Sequence, residues 1–248
     1  MLLLVDAGNT RVKWALTREG AAAGQWLAHG ALAHAALDQL PQAWQGQRLS
    51  RVLVSNVAGA ALRERLASLL PLAPEWFASS AALAGLVNGY RNPLQLGCDR
   101  FAAALGARTL EPGRALVVAT CGTATTIDAV SADGVFIGGM ILPGLALMAA
   151  SLSKNTAQLP QVAPGAAPPP VFADNTNDAI VSGCLAAQAG AIERAFAAHG
   201  AALCIVSGGA AGYIAPALAV PHRLAENIVL VGLHAAAIAT ANMEDRSC

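Results

Sequence analysis

Leu2-Leu3-Leu4-Val5-Asp6-Ala7-Gly8-Asn9-Thr10-Arg11-Val12-Lys13-Trp14-Ala15-Leu16 is the stretch on which the reading of the fold turns. Four apolar residues lead into an acid, small and polar residues follow, and then the pattern alternates. Val12, Trp14 and Leu16 are apolar, while Arg11, Lys13 and Thr17 are polar. A short apolar run and a period-two run across a Gly-Asn turn predict two strands joined as a β-hairpin. The glycine lets backbone N–H groups close around an anion, and Thr10 adds a hydroxyl donor. A carboxylate beside bound phosphates repels them unless a divalent cation lies between. Asp6 therefore reads either as a Mg²⁺ holder or as an ordinary hairpin acid paired with backbone.

The same order returns in Leu116-Val117-Val118-Ala119-Thr120-Cys121-Gly122-Thr123-Ala124-Thr125-Thr126-Ile127-Asp128-Ala129-Val130: strand, Gly-Thr turn, strand. Thr120 stands where Asp6 does in the first copy. Two hairpin-led halves predict an internal duplication, and Glu111-Pro112-Gly113 marks the boundary between lobes 1–112 and 113–248. One loop with a carboxylate and one with hydroxyls and glycine fits a triphosphate gripped between two lobes. Neither GxxxxGK[ST] nor GxGxxG occurs. Gly208-Gly209, after a strand over 203–207, fits a purine resting on backbone or a tight strand-to-helix turn.

The remaining pattern fills in an α/β chain. Residues 26–32, 51–55 and 134–141 read as strands, and 60–70 as a helix with Arg63, Glu64 and Arg65 outward. His34–Trp44 reads as a helix that Pro41 bends or ends. Helices follow over 99–110 and from Leu145, with a Pro/Ala loop over 161–170. A long helix over 177–198 has Thr176 as N-cap and Gly200 as stop. After a helix near Ala211, an apolar segment 228–231 and a helix from Gly232 to about Asn242 close the chain.

Composition bounds the function. Hydrophobic residues are 55% and aromatics 4%, so the core is built from Ala, Leu and Val with closely approaching backbones. Charged residues are 12% and cancel to a formal net charge of zero, which argues against a nucleic-acid or membrane-surface partner. No apolar run approaches the roughly 18 residues of a spanning helix. Residues 2–5, with no basic region ahead of them, are too short for a signal peptide. Cys98, Cys121, Cys184, Cys204 and Cys248 lack metal-type spacing and read as small core residues in a reducing cytoplasm.

Asp99-Arg100 opens a helix after a proline turn and a glycine. An acid there complements the helix dipole, but Arg100 has the wrong sign for that end. An Asp–Arg pair also suits acceptor chemistry, with the acid as base toward a hydroxyl and the guanidinium gripping a carboxylate.

Five motifs then follow in one order. They are Asp6-Ala7-Gly8-Asn9-Thr10; Tyr90-Arg91-Asn92-Pro93-Leu94-Gln95-Leu96-Gly97-Cys98-Asp99-Arg100; Gly122-Thr123-Ala124-Thr125-Thr126-Ile127-Asp128; Gly138-Gly139-Met140-Ile141-Leu142-Pro143-Gly144; and Asn175-Thr176-Asn177-Asp178-Ala179-Ile180-Val181-Ser182-Gly183. Over nearly the whole chain they resemble the type III pantothenate kinases of the actin/hexokinase/Hsp70-like ATPase superfamily. The resemblance implies two RNase H-like lobes, each a mixed five-stranded sheet flanked by helices. It implies phosphorylation of pantothenate by ATP with Mg²⁺, giving 4′-phosphopantothenate in coenzyme A biosynthesis. Asp6, Ala7, Gly8, Asn9, Thr10, Arg11, Val12 and Lys13 would form the first phosphate loop, with Asp6 also toward the metal. Gly122 and Thr123 would contact ATP. Asp99 would be the general base, with Tyr90, Gly97, Cys98, Asp99 and Arg100 binding pantothenate. A homodimer is implied, in which Thr176 reaches the neighbouring subunit's substrate. Gly183, Ala187, Gly190 and Ala191 suit close helix packing, across such an interface or within one lobe.

One departure stands out. Many members of the family carry, two residues before Gly122, an Asp that binds an activating K⁺ or NH₄⁺; this chain has Thr120. Carbonyls and hydroxyls are then left to hold the ion, and Asp128 is given no role. Two rival readings share the fold: a non-catalytic nucleotide-binding accessory regulator, and a sugar kinase. Asp6, Asp99 and Arg100 weigh against the first, and Tyr90 with the Asp99-Arg100 pair favours a small carboxylate-bearing acceptor over a polyol.

Overall fold

The computed structural model describes residues 1–245, so Cys248 of the cysteine count lies outside the described residues. The chain opens with β1 (Leu2–Ala7), β2 (Arg11–Thr17), β3 (Ala28–Ala33), a 3-10 helix (His34–Trp44), β4 (Arg51–Asn56) and α1 (Ala60–Leu69). Three short strands, β5 (Glu75–Trp76), β6 (Ala82–Leu83) and β7 (Leu86–Asn88), lead to α2 (Cys98–Leu110). Next come β8 (Leu116–Cys121), β9 (Ala124–Val130), β10 (Val135–Pro143), α3 (Leu145–Asn155) and α4 (Thr176–His199). The last elements are β11 (Leu203–Ser207), α5 (Ala211–Ile214), β12 (His222–Leu224) and α6 (Ile228–Asp245). The expected helix at His34–Trp44 is a 3-10 helix that runs through Pro41; proline has no N–H for an α-helical bond.

Two compact units result. The first takes Met1–Pro112, Gly134–Phe136 and the helix α6, and the second takes Gly113–Asp133 and Ile137–Glu226. In the first, the sheet order is β3-β2-β1-β4-β5. β1 runs antiparallel to β2, Leu2 opposite Thr17 through Ala7 opposite Val12, and parallel to β4. Every residue of β1 is buried, because strands flank it and both sheet faces are covered. Leu3, Val5 and Ala7 join Val12, Leu37, Leu40, Val54, Leu62 and Leu66 in one core. Strand alternation puts Leu2, Leu4 and Asp6 on the other face, where α6 and α2 pack.

The boundary drawn from sequence assigned 134–136 and the closing helix to a C-terminal lobe; they belong with the first unit. Glycine contacts explain it. A Cβ on Gly232 would stand 1.7 Å from the Ala102 carbonyl oxygen, and one on Gly106 would stand 2.4 Å from that of Ile228. α2 and α6 therefore touch backbone to backbone, as a core of alanine and few aromatics permits. Gly232 is a contact point within one continuous helix, and not the break expected between 228–231 and a later helix.

In the second unit the order is β12-β11-β8-β9-β10. β8 is antiparallel to β9 and parallel to β11, which is parallel to β12. This reproduces the order and pairing sense of β5-β4-β1-β2, so the duplication read from two hairpins extends to both sheets. β10 starts in the first unit, where Val135 and Phe136 pair with Val87 and Asn88. Val117, Ala119, Cys121 and Ile127 form a core with Leu145, Ile180, Leu185 and Ile192. α4 is capped by Asn175, whose side chain accepts from the Asp178 N–H at 3.0 Å. Thr176, the expected cap, is instead the first helical residue; both residue types cap well, and Asn175 is the one in extended conformation. Gly200, at φ 64°, ends the helix.

Candidate active site

The first hairpin delivers Asp6 to the end of a buried strand. The register sets it opposite Lys13 on β2 and Ser55 on β4, so the three side chains form a row on the sheet face toward α2. Gly8 N–H donates to the Arg11 carbonyl at 3.1 Å and closes the turn. Asp6 is 9% exposed. Burial pushes its pKa up to about 6, with Lys13 lowering it and the Asp99 carboxylate raising it further. A buried carboxylate with a second acid acting on it is an incompletely balanced anion, which fits a divalent cation. Magnesium commonly keeps its waters and takes only one or two carboxylates besides phosphate oxygens. The absence of any three-residue His/Cys/Asp/Glu cluster among the described residues is compatible with that mode of binding.

α2 delivers Asp99. Its first residue, Cys98, is tied to β4: the thiol lies 3.4 Å from Ser55 Oγ and 3.7 Å from the Asn56 carbonyl oxygen. Asp99 then folds back, accepting from the Arg100 N–H at 2.8 Å. A Cβ on Gly97 would stand 2.7 Å from Asp99 Oδ1, so glycine there leaves room for the carboxylate. Burial raises the Asp99 pKa, and the Arg100 N–H and guanidinium pull it down. Arg100 is itself buried and donates from Nη1 to the Tyr90 hydroxyl at 2.8 Å. Its guanidinium also lies 5.6 Å from the Tyr90 ring centre and 5.7 Å from that of Phe136. This accounts for a cation at the wrong end of a helix. The Tyr90 loop is braced by Asn88, which accepts from the Tyr90 N–H and donates to the carbonyls of Ser80 and Pro93.

The second unit carries the other turn. Gly122 N–H donates to the Ala124 carbonyl at 3.0 Å, and Gly144 N–H to that of Thr123 at 2.9 Å. A Cβ on Gly144 would meet the Gly122 carbonyl oxygen at 2.1 Å, and one on Gly208, at φ 99°, the Cys121 carbonyl oxygen at 2.3 Å. Three small-residue turns thus pack backbone on backbone, which is why a glycine, Gly208, follows β11. Thr120 Oγ1 is buried with no hydrogen-bond partner among the described residues, beside Ser207 in the parallel register. Asp128 is buried on β9 opposite Val118. Thr176 lines an open groove of about 810 Å³ with Met148, Leu152, Ala179 and Gly183.

Of the residues expected at the site, 6–13, Tyr90 and 97–100 lie in the first unit, where the Asp99 carboxylate raises the pKa of Asp6; Gly122, Thr123 and Thr176 lie in the second. Sequence reasoning missed Ser55 and Asn88, and quoted Gly144 in a motif without giving it a role. The one signal for Ser55 was a hydroxyl ending a buried apolar strand. Burial pushes the thiols of Cys121 and Cys204 up to about 12, in keeping with their reading as core residues.

The family model of type III pantothenate kinase matches residues 2–198. The chain is 59% identical to the type III pantothenate kinase of Herminiimonas arsenicoxydans, covering 97% of this chain and 98% of the relative. It is 58% identical to that of Janthinobacterium sp. (strain Marseille), covering 96% and 98%. Among solved structures it is similar to one described as a Baf family transcriptional activator from Campylobacter jejuni, with TM-score 0.64, 22% identity and coverage of 98% and 99%. It is also similar to the activator of 2-hydroxyisocaproyl-CoA dehydratase from Clostridium difficile, with TM-score 0.59, 13% identity and coverage of 99% and 96%. The two structural likenesses speak to the fold alone.

Proposed function

The chain belongs to the type III pantothenate kinase family and phosphorylates pantothenate with ATP in coenzyme A biosynthesis; from that premise we propose that Asp99 is its proton acceptor and Asp6 its magnesium holder. Asp6, Ala7, Gly8, Asn9, Thr10, Arg11, Val12 and Lys13 bind the phosphate tail through turn N–H groups, the Thr10 hydroxyl and the Lys13 ammonium. Gly122 and Thr123 are also ATP contacts. When bound, Mg²⁺ supplies charge neutralisation at the phosphates. The Asp99 carboxylate takes the proton of pantothenate's primary hydroxyl as that oxygen attacks the γ-phosphorus, whose bond to the β,γ-bridging oxygen breaks so that ADP leaves. Its upward-shifted pKa makes it a stronger base than an exposed aspartate.

Tyr90, with its hydroxyl fixed by Arg100, joins Gly97, Cys98 and Arg100 in holding pantothenate. Cys98 contributes through its backbone, because its thiol is committed to Ser55 and Asn56. Thr176 of the partner subunit completes the acceptor site in a homodimer. A K⁺ or NH₄⁺ ion fits at Thr120, whose buried hydroxyl oxygen otherwise has no partner, and the enzyme works in the cytoplasm. The observation that carries the assignment of Asp99 is its placement at the head of α2, close enough to Asp6 to raise that acid's pKa. A coupled ADP-release assay tests it. Pantothenate is expected to drive ADP release where a panel of sugars does not, and Asp99→Asn to slow it by about 10²–10⁴-fold; an Asp99→Asn enzyme of near-wild-type activity refutes the base. Replacing K⁺ by Na⁺ in the same assay is expected to depress turnover.

A further inference from the structure

We propose that His34 is a positioning residue for the phosphate-binding turn, fixing the direction in which the Asn9 amide points. The inference rests on the reading of residues 8–11 as a phosphate cradle.

β3 ends with Ala33 opposite Arg11, so the next residue, His34, emerges beside the turn. Its Nε2 lies 2.9 Å from the Gly8 carbonyl oxygen. A carbonyl only accepts, so Nε2 carries the proton. In a planar trans peptide the C=O of Gly8 and the N–H of Asn9 point in opposite directions. Drawing the carbonyl onto the imidazole therefore turns the Asn9 N–H to the far side, as an anion donor requires. The anchor adds to the bond from the Gly8 N–H to the Arg11 carbonyl: Asn9, Thr10 and Arg11 are exposed, and glycine lacks the Cβ that would restrict the peptide that follows it. His34 is itself braced, because its carbonyl accepts from Arg65 Nη1 at 2.9 Å while Arg65 Nη2 pairs with Asp38 Oδ1 at 2.9 Å.

Steady-state kinetics and calorimetric titration with a non-hydrolysable ATP analogue test the proposal. His34→Ala is expected to raise the KM for ATP and weaken analogue binding by about 3- to 10-fold, the worth of one hydrogen bond, with kcat and the KM for pantothenate unchanged. His34→Gln, whose amide nitrogen reaches about as far as Nε2, is expected to recover to within about twofold of wild type, and the shorter His34→Asn to behave as alanine. Wild-type ATP affinity in His34→Ala overturns the proposal. So does an equal loss in the alanine and glutamine variants with a lowered unfolding midpoint, which assigns His34 to structure. Asp6→Asn, measured alongside, separates the two failures. If it abolishes ATP binding while His34→Ala is silent, the positioning role alone falls; if both are silent, the phosphate cradle falls with it.

Discussion

Asp6 is kept charged at neutral pH against the preference of its surroundings, which lift its pKa to about 6. The folded value lies above the unfolded one, so the stability this group contributes is fully present below about pH 4 and is lost as pH rises through about 6. In the nucleotide-free protein the loss is on the order of 3 kcal/mol by neutral pH. Asp6→Asn removes the charge without changing shape. It is expected to raise the unfolding free energy at about pH 7.5 by on the order of 2 kcal/mol, the gain vanishing near pH 4, while turnover disappears. Urea unfolding at both pH values, beside an ADP-release assay, gives the answer. Asp99→Asn acts differently: turnover is expected to fall by about 10²–10⁴-fold with ATP-analogue binding intact. The wild-type pH–rate profile should lose activity on the acid side above the ordinary carboxylate range, since burial raises the Asp99 pKa. Both acids were legible in the sequence because each adjoins a glycine turn. Ser55 and His34 were not, because one reaches the site through strand register and the other by flanking the hairpin.

Helix α6 shows how an element joins a unit that its sequence position does not predict. Local periodicity identified the longer strands and most helices within a residue or two, since it reports which face is buried, but β5, β6, β7 and β12, of two or three residues each, are too short to show a period. It is blind to contacts between distant stretches, so the glycine crossing of α2 and α6 went unseen and Gly232 read as a break. Gly232→Ala is expected to destabilise by about 3 kcal/mol or more, as a methyl forced against the Ala102 carbonyl must part the helices; a thermal melt reads this directly. The same helix carries His234, wholly buried, 5.6 Å from the Trp26 ring and with no partner for either ring nitrogen among the described residues. Burial holds its pKa below the usual 6.5. The stability that follows from a neutral buried imidazole is present above about pH 6.5 and lost as pH falls through the lowered folded value. Denaturation of His234→Leu across that window should show a weaker acid-side decline than wild type; an unchanged decline places the titrating group elsewhere.

At the scale of the whole molecule, one α/β plan occurs twice and the copies have diverged at their turns, Asp6 in one and Thr120 in the other. The homodimer proposed above is tested at this scale. The exposed side of α4 presents Thr176, Ala179, Gly183, Ala187 and Gly190, and Val171 and Phe172 just before it are 75% and 95% exposed. Small side chains flanked by bare apolar ones suit a second copy of the chain. If Thr176 serves the partner's acceptor site, two inactive variants should rescue each other. Thr176→Glu is suited to the test, because an acid in the first turn of a helix is tolerated while its charge opposes the pantothenate carboxylate. Asp99→Asn supplies the other defect. In a mixed dimer one site combines both lesions and the other combines neither. Random re-pairing makes about half of the dimers mixed, each with one intact site of two, so about a quarter of wild-type activity should return. Were Thr176 to act within its own subunit, every site in the mixture would carry a lesion. Demonstrated subunit exchange without recovery of ADP release would therefore place Thr176 outside the partner's site.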